Sequence, residues 1–240
     1  MQALQKSGIN TEINQGSSLP LMEEFYTIQG EGFHSGKPAY FVRVGGCDVG
    51  CHWCDVKESW DASIHPLTKT DKIVANAAKF PARAVVVTGG EPCISDLSYL
   101  TKELKKKGIQ TFLETSGAYK ITGEWDWICL SPKKNMPALE ENFSKANELK
   151  VIVYNRDDFK WAEENAKQMV NGQCLMVNGK QPSVSAHKPL AISHQPSTIQ
   201  LFLQPEWSKR HEMLPLIVEY VQQNPQWRIS LQTHKYIGIP

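Results

Sequence analysis

Short apolar, β-branched runs alternate with amphipathic helical stretches along almost the whole chain, and this alternation constrains the fold more than any other feature. Strand-like runs cover 38–44, 84–87, 110–114, 125–130, 149–154, 199–203 and 227–231. Helical spacing covers 71–79, 95–107, 157–170 and 207–223, with Ser95 a candidate N-cap and Gly108 a stop. Strands alternating with helices build parallel βαβ units. The polar and glycine motifs fall where strands end: GGCDVGC, TGGEP, ETSG, SPK and QPE. In a parallel barrel that edge gathers the chemistry. With about six or seven strands, too few for an eightfold ring, the expected fold is α/β: a partial, open TIM-like (β/α)6 barrel.

Length and charge narrow the partners. A chain of 240 residues suits one domain, spanning 21–240, behind a polar arm at 1–20 read as flexible. Basic residues number 26 against 25 acidic ones, so nothing points to nucleic acid or a membrane surface. No apolar run is long enough to span a bilayer, and the first twenty residues lack the apolar core of a secretory signal. The six cysteines are too few and too unevenly placed for a disulfide framework, and clustered thiols suit a reducing cytoplasm. Residues 178–198, rich in Ser, Pro and His, read as a long surface loop, with His187 and His194 as solvated histidines.

Within CDVGCHWC, Cys47, Cys51 and Cys54 form a C-x3-C-x2-C pattern with no fourth cysteine nearby. A cubane iron–sulfur cluster takes four thiolates, so three leave one iron open. Open metal positions serve chemistry, whereas closed ones serve structure. Gly45, Gly46 and Gly50 free the backbone to wrap a small cube, and Trp53 offers a flat apolar face. The competing reading is a zinc site completed by His52 or His34, although paired C-x2-C knuckles are absent. Cys93, Cys129 and Cys174 read as buried small hydrophobes, and Glu58, Trp60, Asp61 and Trp161 as helix-start and packing residues.

The cysteine motif, followed one βα unit later by TGGEP at 88–92, resembles the radical S-adenosylmethionine (SAM) superfamily. The resemblance implies a 4Fe-4S cluster on Cys47, Cys51 and Cys54, with SAM chelating the open iron. Reduction then cleaves SAM to a 5′-deoxyadenosyl radical.

FYTIQGEG at 25–32, PAYFVRVGGC at 38–47 and the tail LQTHKYIGIP narrow the resemblance to the 7-carboxy-7-deazaguanine synthase family of queuosine biosynthesis. It covers nearly the whole chain. It implies a carbon–nitrogen lyase that contracts 6-carboxy-5,6,7,8-tetrahydropterin to a pyrrolopyrimidine with loss of ammonia. SAM contacts are implied for Trp53, Cys54, Asp55, Gly90, Glu91, Ser131, Pro132, Lys133, Gln204, Pro205 and Glu206. Substrate contacts are implied for Ile28, Gln29, Gly30, Glu31, Arg43, Thr88, His234 and Pro240. A carboxylate at Glu31 suits the adjacent N–H donors of a pterin edge, and the Arg43 fork suits its acid. A flavodoxin or ferredoxin reductant and a homodimer are further family expectations. Glycyl-radical activating enzymes share the cysteine motif but need a protein partner and lack QGEG. A zinc-stabilised binding module or an electron-carrying iron–sulfur protein is the non-enzymatic alternative. One departure stands out. Where the family has a Thr or Ser that binds Mg2+, this chain has Val56, whose side chain carries no oxygen. Either water fills the gap, or another oxygen such as Asp55 helps, or the metal is weak or absent, with Lys57 next door partly replacing the cation. The expectation is reduced dependence on Mg2+.

Overall fold

The computed structural model describes residues 16–177 and 199–240, with side chains from 16–170 and 199–240. In chain order the strands are β1 (Ser18–Ile28), β2 (Pro38–Val44), β3 (Leu67–Lys69), β4 (Ala84–Gly89), β5 (Gln110–Thr115), β6 (Trp127–Leu130), β7 (Glu148–Val153), β8 (Gln200–Pro205) and β9 (Trp227–Ile229). The helices are α1 (Thr70–Ala77), α2 (Ser98–Lys106), α3 (Glu140–Phe143), α4 (Asp157–Val177), α5 (Arg210–Gln223) and α6 (Thr233–Ile237). The strands form one sheet in the order β3-β1-β2-β4-β5-β6-β7-β8-β9. From β2 to β9 every pairing is parallel, and the edge strands β3 and β9 do not meet, so the barrel is open as expected.

Two-residue alternation divides each strand between two environments. Val42, Val44, Val85, Val87, Leu113 and Leu149 face outward and pack with Ile73, Leu100, Leu104 and Ile217. Each such side chain contributes about 1.5–3 kcal/mol by leaving water. The opposite face lines the barrel. There Ala39, Phe41, Ala84 and Val86 form a small second core with Phe25 and Phe112. Farther along the same strands the inner face turns polar at Arg43, Thr88 and Glu114, which line one cleft.

Among the described residues the sheet holds nine strands, not six or seven. The additional β1 and β3 run antiparallel to their neighbours, which a search for βαβ units does not find. Residues 18–20 therefore belong to a strand and not to the arm, with Ser18 and Leu19 buried. The rest of the arm up to residue 15, and the loop at 178–198 with His187 and His194, lie outside the described residues. Ser95 is not a helix N-cap. It ends a 3-10 turn, Pro92–Ile94, and α2 begins at Ser98. The helix read at 207–223 starts with a 3-10 turn, Trp207–Lys209, because Glu206 accepts hydrogen bonds from the amides of Ser208 and Lys209. Gly108, at φ +67°, ends α2 as expected.

Candidate active site

The C-terminal ends of the parallel strands open into one cleft. Cys47, Cys51 and Cys54 lie at one side of it, on the loop after β2. Gly46 and Gly50 take positive φ, +104° and +68°, which lets the loop curl. Gly90 closes in from the end of β4. Its amide donates to Val44, the next amide donates to Gly46, and a Cβ on Gly90 would collide with the Gly46 carbonyl. The cysteine loop is thus held in a cradle that only glycine permits.

The cradle fits an iron–sulfur cluster. All three thiols are partly exposed to the same cleft. Burial pushes the Cys47 and Cys51 thiols up, while the nearby Lys133 ammonium pulls Cys51 back down. Metal binding itself then supplies the deprotonation. Lys133 also stands 5.6 Å over the Trp53 ring and donates to the Ser131 hydroxyl at 2.7 Å. The histidines of the zinc reading do not line this cleft. His34 stacks on Phe112 with ring centroids 4.5 Å apart, and His52 sets its ring edge-on to Tyr154.

Of the residues linked to SAM by resemblance, Trp53, Cys54, Asp55, Gly90, Glu91, Ser131, Lys133 and Gln204 line this cleft. Pro132, Pro205 and Glu206 do not. Pro132 lines a neighbouring hollow, Pro205 ends β8, and Glu206 caps the turn after it. Glu91 points its carboxylate inward. It accepts hydrogen bonds from the Cys93 amide, the Thr115 hydroxyl, and both the amide and the hydroxyl of Ser116. Its side chain thereby ties the end of β4 to the end of β5.

All the residues linked to substrate also converge here: Ile28, Gln29, Gly30, Glu31, Arg43, Thr88, His234 and Pro240. The register of β2 and β4 sets Arg43 beside Thr88. Arg43 donates one N–H to Glu23 at 2.8 Å and covers the Phe25 ring. Glu31 accepts from the Gln232 amide at 2.9 Å and from the Lys150 ammonium at 2.6 Å. Burial raises the Glu31 carboxyl, but Lys150, helped by Gln232, outweighs it and brings the group down to about 2. Burial also pushes the His234 imidazole below its ordinary range, so it is neutral at pH 7.

Sequence reading missed Lys150, Glu114, Gln232 and Trp60, which also line the cleft. Trp60, read as a packing residue, is one of its walls. A signal for Lys150 was present: with Glu148 it puts two charges into the otherwise apolar strand ELKVIV.

Residues around position 56 do not fit a divalent cation. Val56 lines the cleft without a side-chain oxygen, and its carbonyl accepts from the Ser59 hydroxyl at 2.6 Å. The adjacent Asp55 is paired with Lys235 at 2.6 Å.

Comparison with known proteins agrees with this architecture. Residues 41–128 match the model of the radical SAM superfamily. The chain is 55% identical to a 7-carboxy-7-deazaguanine synthase of Flavobacterium psychrophilum, over 97% of this chain and 98% of that protein. It is 41% identical to the Synechocystis protein of the same name, over 92% and 94% of the two chains. The crystal structure of QueE from Escherichia coli superposes with a TM-score of 0.71 at 30% identity, covering 92% of this chain and 97% of that one.

Proposed function

The chain belongs to the 7-carboxy-7-deazaguanine synthase family of radical SAM enzymes, and on that premise we propose how its cleft contracts 6-carboxy-5,6,7,8-tetrahydropterin to 7-carboxy-7-deazaguanine with loss of ammonia. One observation carries the reading: a carboxylate, a guanidinium and an imidazole share a cleft with three open thiols.

Cys47, Cys51 and Cys54 would hold a 4Fe-4S cluster, and Trp53, Gly90, Ser131, Lys133 and Gln204 would hold SAM. When bound, this pair supplies a radical able to take a hydrogen atom from the substrate. The protein's own part is position and electrostatics. Glu31, ionised at neutral pH, accepts from adjacent N–H donors of the pterin edge. Arg43 keeps further N–H donors beyond the one on Glu23 and directs them at the substrate acid. His234 and Pro240 close the cleft from the C-terminal segment, and neutral His234 offers a donor or an acceptor without adding charge.

We further infer that Mg2+ is dispensable, since Val56 and the paired Asp55 leave little for it to bind. A flavodoxin or ferredoxin reductant, a homodimer and a cytoplasmic location are carried over from the family. Membership in this family replaces the activating-enzyme and zinc-module alternatives.

The test is anaerobic reconstitution with iron and sulfide, followed by SAM, a reductant and the carboxypterin. A product with an altered ultraviolet spectrum and one equivalent of ammonia is expected. Brown, SAM-responsive protein that leaves the carboxypterin unchanged would refute the assignment.

A further inference from the structure

Lys150 is 4% exposed, yet its ammonium faces the cleft. It donates to Glu31 at 2.6 Å and to Glu114 at 2.8 Å, residues 119 and 36 positions away in the chain. Gln29 completes the array by donating its side-chain amide to Glu114 at 3.2 Å. Two carboxylates around one ammonium leave a net negative charge on the floor of the site.

A purely structural role explains this poorly. Well-packed apolar residues usually replace a buried ion pair with no loss of stability. Here the charges line the same cleft as the apolar rings of Phe25 and Phe41. The same strand also grips the loop a second time. Glu148, two residues earlier and so on the same face, accepts from the Phe33 amide at 3.3 Å and from the Trp127 indole at 2.9 Å. It packs so closely under Gly32 that a Cβ there would collide with its carboxylate. β7 therefore holds residues 31–33 at two points.

We infer that Lys150 is a positioning residue: it fixes Glu31 as an oriented anion, so that the cleft selects rings carrying adjacent N–H and NH2 donors. This rests on the pterin reading above. The charged and titratable groups facing Glu31 are Lys150 from β7 and His234 from α6, with Gln232 as a neutral donor; Glu114 from β5 shares Lys150, and Arg43 from β2, Asp55 and Lys235 bear on His234. Among the cations, Lys150 alone makes a direct hydrogen bond to it among the described residues. Without Lys150, burial acts on Glu31 with little to oppose it. The carboxyl then takes up a proton at higher pH and loses an acceptor site.

The probe is pterin-6-carboxylate, whose fluorescence reports binding to the reconstituted holoprotein without turnover. Dissociation constants are measured for wild type, K150M, E31Q and the double variant K150M/E31Q between about pH 6.5 and 8.5, where ordinary carboxylates do not titrate. K150M is expected to weaken binding at least about thirtyfold at the acidic end, as removal of one partner of a buried charge pair does. Part of the loss should return as pH rises. The double variant should bind within about twofold of E31Q, because Lys150 acts through Glu31. The shift of the cluster absorption on adding SAM should be unchanged in every variant. K150Q keeps a donor without the charge and serves if K150M does not fold, with the same pH dependence expected.

Wild-type affinity in K150M or K150Q, a flat pH profile in both, or losses that multiply in the double variant would overturn the proposal. Turnover of 6-carboxytetrahydropterin by the wild type is followed in parallel. Binding without turnover removes the functional assignment alone, whereas turnover with an indifferent Lys150 removes this inference alone.

Discussion

Gly30 packs directly against the imidazole of His234, so closely that a methyl group on Gly30 would collide with Nδ1. The Gly30 carbonyl also accepts both the amide and the hydroxyl of Thr233, each at 2.9 Å. The loop after β1 and the C-terminal helix α6 are thus one assembly at the mouth of the cleft. The absence of a side chain at Gly30 is what seats the histidine.

Gly30→Ala should therefore damage binding more than folding. The expected outcome is a rise in KM for the carboxypterin of about tenfold or more, from displacement of His234. Thermal melting should change little, because this loop is exposed at Phe33 and from Ser35 to Pro38 and contributes little core. Steady-state kinetics beside a melting curve checks it. An unchanged KM would show that His234 does not need its present position.

Gly90→Ala attacks the cluster cradle. The added Cβ meets the Gly46 carbonyl and Cys47, so the cysteine loop must shift. Reconstituted G90A is expected to hold well under half the iron of wild type, measured colorimetrically and by its visible absorption. Cys51→Ala should lose the absorption almost entirely, since two thiolates do not anchor a cubane.

Glu91 has a different vulnerability. Its buried carboxylate accepts four hydrogen bonds, so Glu91→Gln turns an NH2 group toward groups that can only donate or already do. Each buried group left unsatisfied costs about 1–3 kcal/mol. The melting temperature should fall by about 5 °C or more. A melting curve within a degree of wild type would contradict this role.

The position of Val56 makes metal dependence easy to test. Activity after exhaustive chelation should fall by less than about twofold, as Val56 offers no side-chain oxygen to an octahedral ion and the Asp55 charge is already paired with Lys235. Val56→Thr should introduce Mg2+ stimulation, read as a saturable heat of Mg2+ binding in calorimetry. A strong requirement in the wild type would overturn the prediction.

Acid should destabilise the protein through Glu31. Its carboxyl falls from the ordinary 4.5 to about 2 in the folded state. The folded form thus binds its proton less readily than the unfolded chain. That stabilisation is complete above about pH 4.5 and is lost as pH falls toward 2. Melting temperatures of wild type should decline more steeply across that window than those of Glu31→Gln. Parallel curves would show that the Lys150 pairing adds nothing to stability.

Much of the site was legible from residue types in fixed local order. The cysteine loop, QGEG, TGGEP and the terminal THKYIGIP segment are contiguous motifs, and the βα alternation brings their strand ends to one edge. Most of the residues so named line one cleft. Strands β1 and β3 were harder to read, because antiparallel additions at a sheet edge interrupt no βαβ pattern and carry mixed polarity. Glu206 and Pro205 followed the right strand but lie outside the cleft, since a strand's last residues alternate in direction and Glu206 turns to cap its own turn.

Local chemistry in the chain, by itself, determined the α/β class, the three open thiols and the motif that aligns with them, because each depends on neighbours a few residues apart. Only the folded molecule decided that Lys150 stands between Glu31 and Glu114, that the Glu91 carboxylate ties the end of β4 to the end of β5, and that Gly30 seats His234. Those relationships join strands remote in sequence. Periodicity records which face of a strand is buried, but not which charge from another strand waits opposite it.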